Sequence, residues 1–183
     1  MKKIKFYGIG GQGAVTAAKV LSDAVSLYQD EYAITVPAYG HERRGAPVYA
    51  HIIVDDKPIL LNCYVYEPDI VLVMDAGLID KNVNVGEGCT DKTVLVINSG
   101  SAEVIKRYKD AYGFQEVYAC DGTAAAERNI GLSIPNSAML GALAKTGLVT
   151  IEAVENAVRD SFGKVGEKNV KAARDAYEHT CKA

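Results

Sequence analysis

The sequence has no tryptophan, only three phenylalanines and no long apolar run among its 183 residues. A membrane-spanning helix needs roughly 18 to 20 mostly apolar residues, and charges or glycines interrupt every candidate stretch before that length. The N-terminal stretch MKKIKFYGIGGQG also lacks the apolar core and cleavage site of a signal peptide. These absences predict a soluble, cytoplasmic protein.

Cysteine is scarce and dispersed. Zinc and iron–sulfur sites typically use closely spaced ligands, such as a C-x-x-C pair or a cluster of histidines near cysteines. The chain has neither pattern. A disulfide framework is not expected in a chain of this length without a secretion signal. We therefore expect no metal site and four buried or half-buried thiols, at Cys63, Cys89, Cys120 and Cys181.

A surplus of basic residues is also missing. The formal net charge is −3 and the sequence pI is about 5.6, so no positive field attracts nucleic acid or an anionic membrane surface. The hydrophobic share of 49% and the charged share of 23% are ordinary for a globular protein. The length suits a single domain that spans residues 1–183.

Hydrophobic periodicity predicts an α/β fold. Residues 3–9 form a β-rich run, residues 12–28 place apolar side chains at helical spacing, and residues 33–37 predict a second strand. The continuous apolar runs at 70–74 and 94–98 are typical of central strands with helices on both faces. A strand, a glycine turn and a helix thus open the chain, as in Rossmann-like folds.

The remaining segments extend this pattern. Residues 47–54 and 58–65, joined by a short turn, predict an antiparallel hairpin, and residues 115–120 predict a last strand. Residues 76–92 are expected to form a short helix and a loop, and the helical patterns near the C-terminus cover residues 135–147, 150–161 and 166–180. The sequence predicts a three-layer open sheet, mostly parallel, with an added antiparallel hairpin.

The glycine turn is the first candidate site. It satisfies G-x-G-x-x-G between a strand and a helix through Gly8, Gly10, Gly11, Gln12 and Gly13. A helix N-terminus exposes unpaired N–H groups where glycines allow an anion to approach, so a phosphate or pyrophosphate is one interpretation. The other is that the glycines serve only a tight turn and close packing. The residues alone leave both open.

A conventional NAD site requires a further feature that the chain lacks. The second strand should end on an acidic residue that holds the ribose hydroxyls, yet it ends in Val36-Pro37-Ala38. An independent dinucleotide-binding protein is therefore the weaker alternative.

The loop Tyr39–Ala46 is the second candidate site. Most charged loops are simply solvated, but arginine offers a planar fork for carboxylate or phosphate, and glycine permits backbone approach. We expect this loop to face a partner subunit or an active site, and its candidate residues are Tyr39, Gly40, Glu42, Arg44 and Gly45.

The two motifs in this order resemble the gamma subunit of 2-oxoacid:ferredoxin oxidoreductases, the pyruvate/ketoisovalerate oxidoreductase catalytic domain family. G-x-G-G-Q-G is followed by Y-G-x-E-x-R-G, and further matches are Ala17-Ala18-Lys19-Val20-Leu21, Pro58-Ile59 and Pro68-Asp69. The resemblance is densest over residues 6–75. The chain departs from the family at Ala46-Pro47, where a second glycine is usual.

The resemblance implies a complex that decarboxylates a 2-oxoacid, reduces ferredoxin and transfers the acyl group to CoA. Thiamine diphosphate, Mg and iron–sulfur clusters are implied to belong to alpha, beta and ferredoxin-like delta subunits, while this chain supplies an interface and part of the CoA-handling region. The chain alone is expected to bind no cofactor and to be inactive. The small subunit of an indolepyruvate oxidoreductase is an alternative within the same superfamily.

Other polar residues receive structural interpretations. His51 lies in an apolar strand, and Asp69 and Asp75 flank a buried strand where carboxylates commonly cap a turn or helix. Asn136 and Ser137 are interpreted as the start of a helix after Pro135. None of them is assigned a catalytic role.

Overall fold

The computed structural model describes residues 1–38 and 45–183. Its strands are β1 Lys2–Ile9, β2 Tyr32–Ala38, β3 Pro47–Asp55, β4 Ile70–Val73, β5 Val94–Asn98, β6 Glu116–Cys120 and β7 Cys181–Lys182. Its α-helices are α1 Ala14–Tyr28, α2 Ala102–Tyr112, α3 Gly122–Ile130, α4 Asn136–Ala144, α5 Ile151–Phe162 and α6 Gly166–His179. Short 3₁₀ helices span Ala76–Lys81 and Gly163–Val165.

The strands form one mixed sheet in the order β2-β3-β1-β4-β5-β6-β7. The pairs β1/β4, β4/β5 and β5/β6 are parallel, whereas β3 is antiparallel to both of its neighbours and β7 is antiparallel to β6. Since β2 and β1 both oppose β3, they run in the same direction, and only β3 and β7 run against the other strands. The predicted mostly parallel, open α/β sheet is confirmed.

Alternation along β1 sends side chains into two cores on opposite faces of the sheet. Ile4 and Phe6 join the core beneath α1, α4, α5 and α6, while Tyr7 joins the core beneath α2 and the 3₁₀ helix Ala76–Lys81. Successive strand residues point to opposite faces, so a single strand serves both layers. The sheet is thereby covered on both sides, as the apolar runs of β4 and β5 predicted.

Helix α4 lies inside one of these layers. Every residue from Asn136 to Ala144 is buried, and α6 and α1 pack against this helix, which also contacts β5 and β6. A helix that is apolar on all sides can be stable only when it is buried on all sides. Gly141 permits the closest approach, since a β-carbon there would lie 1.9 Å from the backbone oxygen of Ala173 in α6.

The antiparallel hairpin is present, but the prediction of its strands was wrong. Its strands are β2 and β3, whereas residues 58–65 form no regular strand. Strand β3 already pairs with β1 along one edge and with β2 along the other. No edge of β3 is left for a third strand, so residues 58–65 cross the face of the sheet instead, where the N–H of Val65 donates to Nδ1 of His51 at 3.1 Å.

Three further features differ from the sequence expectations. Helix α2 had not been predicted, although Ser101 caps it and Gly113 ends it, and β7 follows the strand that was expected to be last. Cys63 and Cys181 are exposed rather than buried. In the two described ranges, no helix has the length and apolar character needed to cross a membrane.

Candidate functional site

The glycine turn lies where β1 ends and α1 begins. Gly11 and Gly13 have φ angles of 102° and 76°, in the region that only glycine adopts readily. Gly8 is buried, and a β-carbon on it would lie 3.1 Å from the β-carbon of Ala14 in α1. The glycines therefore do allow a tight turn and close helix–strand packing, while Gly11 remains exposed at the surface.

The turn is joined to the start of β3 by backbone hydrogen bonds. The N–H of Gly10 donates to the oxygen of Ala46 at 2.8 Å, and the N–H of Gly45 donates to the oxygen of Gly10 at 3.3 Å. Lys81 donates from Nζ to the Gly45 oxygen at 3.1 Å. The structure thus brings Gly45 of the second predicted motif against the first.

The other predicted residues of the charged loop, Tyr39, Gly40, Glu42 and Arg44, lie outside the described residues. Their assignment to a partner-facing or active-site loop stays a prediction.

Gln12 connects the turn to the neighbouring parallel strand. Its Oε1 accepts from the N–H of Ile9 and its Nε2 donates to Oδ2 of Asp75, both at 3.1 Å. Asp75 follows β4 and caps the 3₁₀ helix by accepting from the N–H of Gly77 at 2.9 Å. The capping role predicted for Asp75 is confirmed, and its contact with the turn is an addition that the sequence pattern did not reveal.

This contact lies at the switch point of the sheet. Helix α1 leaves β1 toward one face, while the 3₁₀ helix after β4 packs with Leu78 against the other face. Open α/β sheets bind ligands in the crevice that such a divergence creates at the carboxyl ends of the strands. The turn therefore occupies the position in the fold where a ligand is expected.

A second helix N-terminus meets the turn. A β-carbon on Gly13 would lie 2.7 Å from Nδ2 of Asn136, the first residue of α4. Asn136 is 6% exposed, and its Nδ2 makes no hydrogen bond to any residue of the described ranges. The sequence pattern identified Asn136 only as the start of a helix. The feature that could have indicated a functional role is an asparagine at the first position of a mostly apolar helix.

The surroundings of the glycine turn combine hydrogen-bond donors with one negative charge. Neither α1 nor α4 has a side-chain cap on its N-cap residue or an acidic residue in its first turn, and the N–H of Ser137 donates only to the neutral Oδ1 of Asn136 at 2.7 Å. No negative side chain of either helix therefore neutralises the positive ends of the two helix dipoles. The carboxylate of Asp75 introduces a negative charge beside Gln12. An anion at the turn would gain N–H contacts and the Asn136 amide, and it would be repelled by Asp75.

The topology argues against a dinucleotide site. In the dinucleotide-binding fold the strand after the first helix lies beside β1 and carries the ribose acid. Here β3 lies between β1 and β2, which places the end of β2 about 10 Å from β1 at the usual strand spacing. The strand also ends in Pro37 and Ala38, so it supplies no acid at that point.

The thiols do not form a cluster-binding set. Cys120 is buried in β6, and burial raises the pKa of its thiol to about 11. Burial also raises the pKa of Cys89, which lies in the loop before β5. Ligation needs convergent thiolates, whereas these cysteines and the exposed Cys63 and Cys181 lie on separate elements.

Comparison with known proteins finds similar sequences and similar folds along nearly the whole chain. Residues 3–179 match the family model of pyruvate ferredoxin/flavodoxin oxidoreductase. The "Pyruvate/ketoisovalerate oxidoreductases common subunit gamma" of Pyrococcus furiosus is 45% identical over 184 residues, covering 98% of this chain and 97% of the relative. The "Pyruvate synthase subunit PorC" of Methanocaldococcus jannaschii is 46% identical, covering 100% of this chain and 98% of that protein. The crystal structure of pyruvate oxidoreductase subunit PORC from Thermotoga maritima is 31% identical with a TM-score of 0.85, covering 100% of this chain and 99% of that one.

Proposed function

The chain belongs to the pyruvate ferredoxin/flavodoxin oxidoreductase family, and we propose that it acts as the gamma subunit of a CoA-dependent 2-oxoacid:ferredoxin oxidoreductase. The observation that carries this proposal is the match to gamma-type subunits along nearly the whole length of both chains, at 45% and 46% identity. The subunit works as one domain, residues 1–183, in the cytoplasm.

In this proposal the reaction centre lies in other subunits. The complex oxidatively decarboxylates a 2-oxoacid to acyl-CoA and CO₂ and reduces ferredoxin. The alpha, beta and delta subunits supply thiamine diphosphate, Mg and the iron–sulfur clusters. For the clusters the reason lies in this chain, because its dispersed cysteines do not fit a cluster. This chain contributes interface surface and a binding element for CoA.

The CoA-binding element we propose is the glycine turn together with Asn136. CoA carries phosphates, and backbone N–H groups at a helix N-terminus are suited to hold them. The starts of α1 and α4, which carry no acidic residue in their first turns, and the buried Asn136 amide beside Gly13 support an anion at this position. The missing acid at the end of β2 and the interposed β3 favour CoA over NAD as that anion.

Reconstitution tests the proposed function. The chain would be produced alone and together with the alpha, beta and delta subunits encoded by the same organism, under anaerobic conditions. We expect the isolated chain to be colourless, free of iron and inactive, and the complex to reduce ferredoxin in the presence of CoA and a 2-oxoacid. A panel of pyruvate, 2-oxoglutarate, branched-chain and aryl 2-oxoacids would then identify the substrate and distinguish an indolepyruvate oxidoreductase.

Two results would contradict the proposal. One is saturable NAD binding with turnover by the isolated chain, which would favour an independent dinucleotide enzyme. The other is full CoA-dependent activity in a complex assembled without this chain.

A further inference from the structure

A pocket lies on the sheet face opposite α1, away from the glycine turn. It has a volume of about 390 Å³, and its lining includes Lys5, Tyr7, Tyr49, His51, Tyr64 and Glu87. Lys5 on β1 and His51 on β3 are direct partners in the antiparallel register, so their side chains share this face. We call it the Lys5 pocket.

His51 offers a hydrogen-bond donor to this pocket. Its Nδ1 accepts from the N–H of Val65 at 3.1 Å, so in the neutral imidazole the proton resides on Nε2. Burial, with the nearby charge of Lys5, lowers the pKa of His51 to about 4, and the ring is therefore neutral at physiological pH. The ring of Tyr64 packs on His51 with centroids 4.7 Å apart.

Lys5 brings a buried charge that is weakly compensated. The residue is 8% exposed, and its Nζ lies 3.4 Å from Oε2 of Glu87, whose side chain is 71% exposed. The ammonium also lies 5.1 Å from the ring centroid of Tyr7. A desolvated cation is stable only with close anionic or dipolar partners, and a long contact to a solvent-exposed carboxylate supplies little of that stabilisation.

Tyr7 shows that the polar groups beneath the pocket are not all satisfied. The residue is 1% exposed, and its hydroxyl is the one side-chain polar atom in residues 1–38 and 45–183 that has neither solvent contact nor a hydrogen-bond partner. Buried hydroxyls almost always have a partner. Tyr7 thus lacks a hydrogen-bond partner and Lys5 has only a weak anionic one, and a further molecule or chain would provide both groups with a partner.

The segment after β3, which borders the pocket through Tyr64, Val65 and Tyr66, exposes large side chains. On the segment after β3, Leu60 is 94% exposed, Leu61 50%, Tyr66 73% and Tyr64 44%. Tyr64 and Tyr66 belong to the pocket itself. Exposed apolar and aromatic side chains around a pocket that holds a charged anchor are characteristic of protein interfaces.

We propose that the Lys5 pocket receives an acidic side chain from a neighbouring subunit of the oxidoreductase complex. The partner carboxylate accepts from Lys5 Nζ and His51 Nε2 and displaces Glu87 toward solvent, while apolar residues beside it cover Tyr64 and Tyr66. The inference rests on the proposed function, because it requires a complex. A small free carboxylate would satisfy Lys5 equally but would leave the apolar rim exposed, and for that reason a protein segment is favoured.

The test uses the complex produced by co-expression with a tagged copy of this chain. Lys5→Met keeps most of the length of the side chain and removes the charge, and Tyr66→Ala removes a rim residue that is 73% exposed. Lys2→Met is the matched control, since Lys2 is exposed on the same strand and its side chain points to the other face. Affinity of each purified variant for the remaining subunits would be measured by titration.

We expect Lys5→Met and Tyr66→Ala each to weaken association by about tenfold or more, as for central interface anchors, and Lys2→Met to leave it unchanged. Wild-type affinity in a folded Lys5→Met variant and in Tyr66→Ala would overturn this inference and leave the proposed function intact. Failure of the wild-type chain to associate at all would instead overturn the proposed function. Acetate and pyruvate titrated into the isolated chain provide the last arm: saturable binding that Lys5→Met abolishes, with assembly unaffected, would make the pocket a small-carboxylate site and overturn the subunit contact.

Discussion

Gln12 and Asp75 are joined by a side-chain hydrogen bond of 3.1 Å between Nε2 and Oδ2, across a sequence separation of 63 residues. Because the side-chain oxygen of Gln12 accepts from the N–H of Ile9, the amide cannot rotate without losing a partner. This bond therefore fixes the glycine turn of β1 to the end of β4 and places the carboxylate of Asp75 at the switch point of the sheet.

Exchanging the side-chain amide of Gln12 with the carboxylate of Asp75 tests this hydrogen bond. Gln12→Glu would set two carboxylates against each other, and Asp75→Asn would set two amide donors against each other. In the double variant the carboxylate of residue 12 accepts from both Ile9 and the amide of residue 75. We expect each single change to destabilise the chain and the double variant to recover about 1–2 kcal/mol, measured by urea unfolding as a double-mutant cycle. Additive effects would show that the bond contributes nothing.

Gly11→Val tests the anion site at the turn. The φ angle of 102° disfavours a branched residue, although no atom of residues 1–38 and 45–183 lies within 4 Å of the position that a β-carbon would take, so the expected damage is a distorted set of N–H donors. We expect the KM for CoA in the complex to rise roughly 5- to 150-fold, equivalent to about 1–3 kcal/mol, with little change in rate at saturating CoA. Gly131→Val is the control, since Gly131 also has a positive φ of 84° and open space around it. An unchanged KM for CoA would leave the glycines with a packing role alone.

Arg44→Ala tests the charged loop, of which residues 39–44 lie outside the described residues. We expect lower activity or weaker assembly of the complex, with an unchanged circular dichroism spectrum and melting temperature of the isolated chain, because the guanidinium is proposed to act on a partner or on substrate. Arg159→Ala, which removes an exposed ion pair with Glu167, provides the comparison. Wild-type activity and assembly in Arg44→Ala would indicate a solvated loop.

His51 makes the stability of the chain depend on pH in a defined direction. Its pKa is lowered to about 4 in the folded chain, chiefly by burial, while an unfolded histidine titrates near 6.5. The unfolded state therefore binds the proton first as pH falls, and stability is lost between about pH 6.5 and pH 4. We expect this group to remove about 2 kcal/mol of unfolding free energy between pH 7 and pH 5. His51→Gln should lack this component, and equal pH slopes for both proteins would contradict the assignment.

Gly141→Ala tests the packing of α4 against α6. The added β-carbon would lie 1.9 Å from the backbone oxygen of Ala173, a contact that the helices can relieve only by moving apart. We expect a loss of at least about 3 kcal/mol in unfolding free energy. Gly100→Ala, where the nearest atom lies 3.7 Å away, should change stability by less than about 0.5 kcal/mol. Similar stabilities for the two variants would show that the α4–α6 contact is adaptable.

The candidate site was predictable only in part. The position of Gly8–Gly13 between a strand and a helix follows from local pattern, because positive φ angles and close packing demand glycine there. The approach of Asn136 to Gly13 was not predictable, since it depends on how α4 is seated inside the helical layer. The same is true of Gly45, whose hydrogen bond to Gly10 requires β3 to lie beside β1.

The sequence by itself determined the strands β1, β4 and β5, the first helix and the helical C-terminal third, because hydrophobic periodicity and glycine or proline punctuation act over a few residues. Only the tertiary structure decided which strands pair. Residues 58–65 have a strand-like composition, yet both edges of β3 are already paired by β1 and β2, and hydrogen bonding between strands depends on a free edge rather than on composition. That insertion of β3 also separates β2 from β1, removes the geometry of a dinucleotide site, and places Lys5 beside His51.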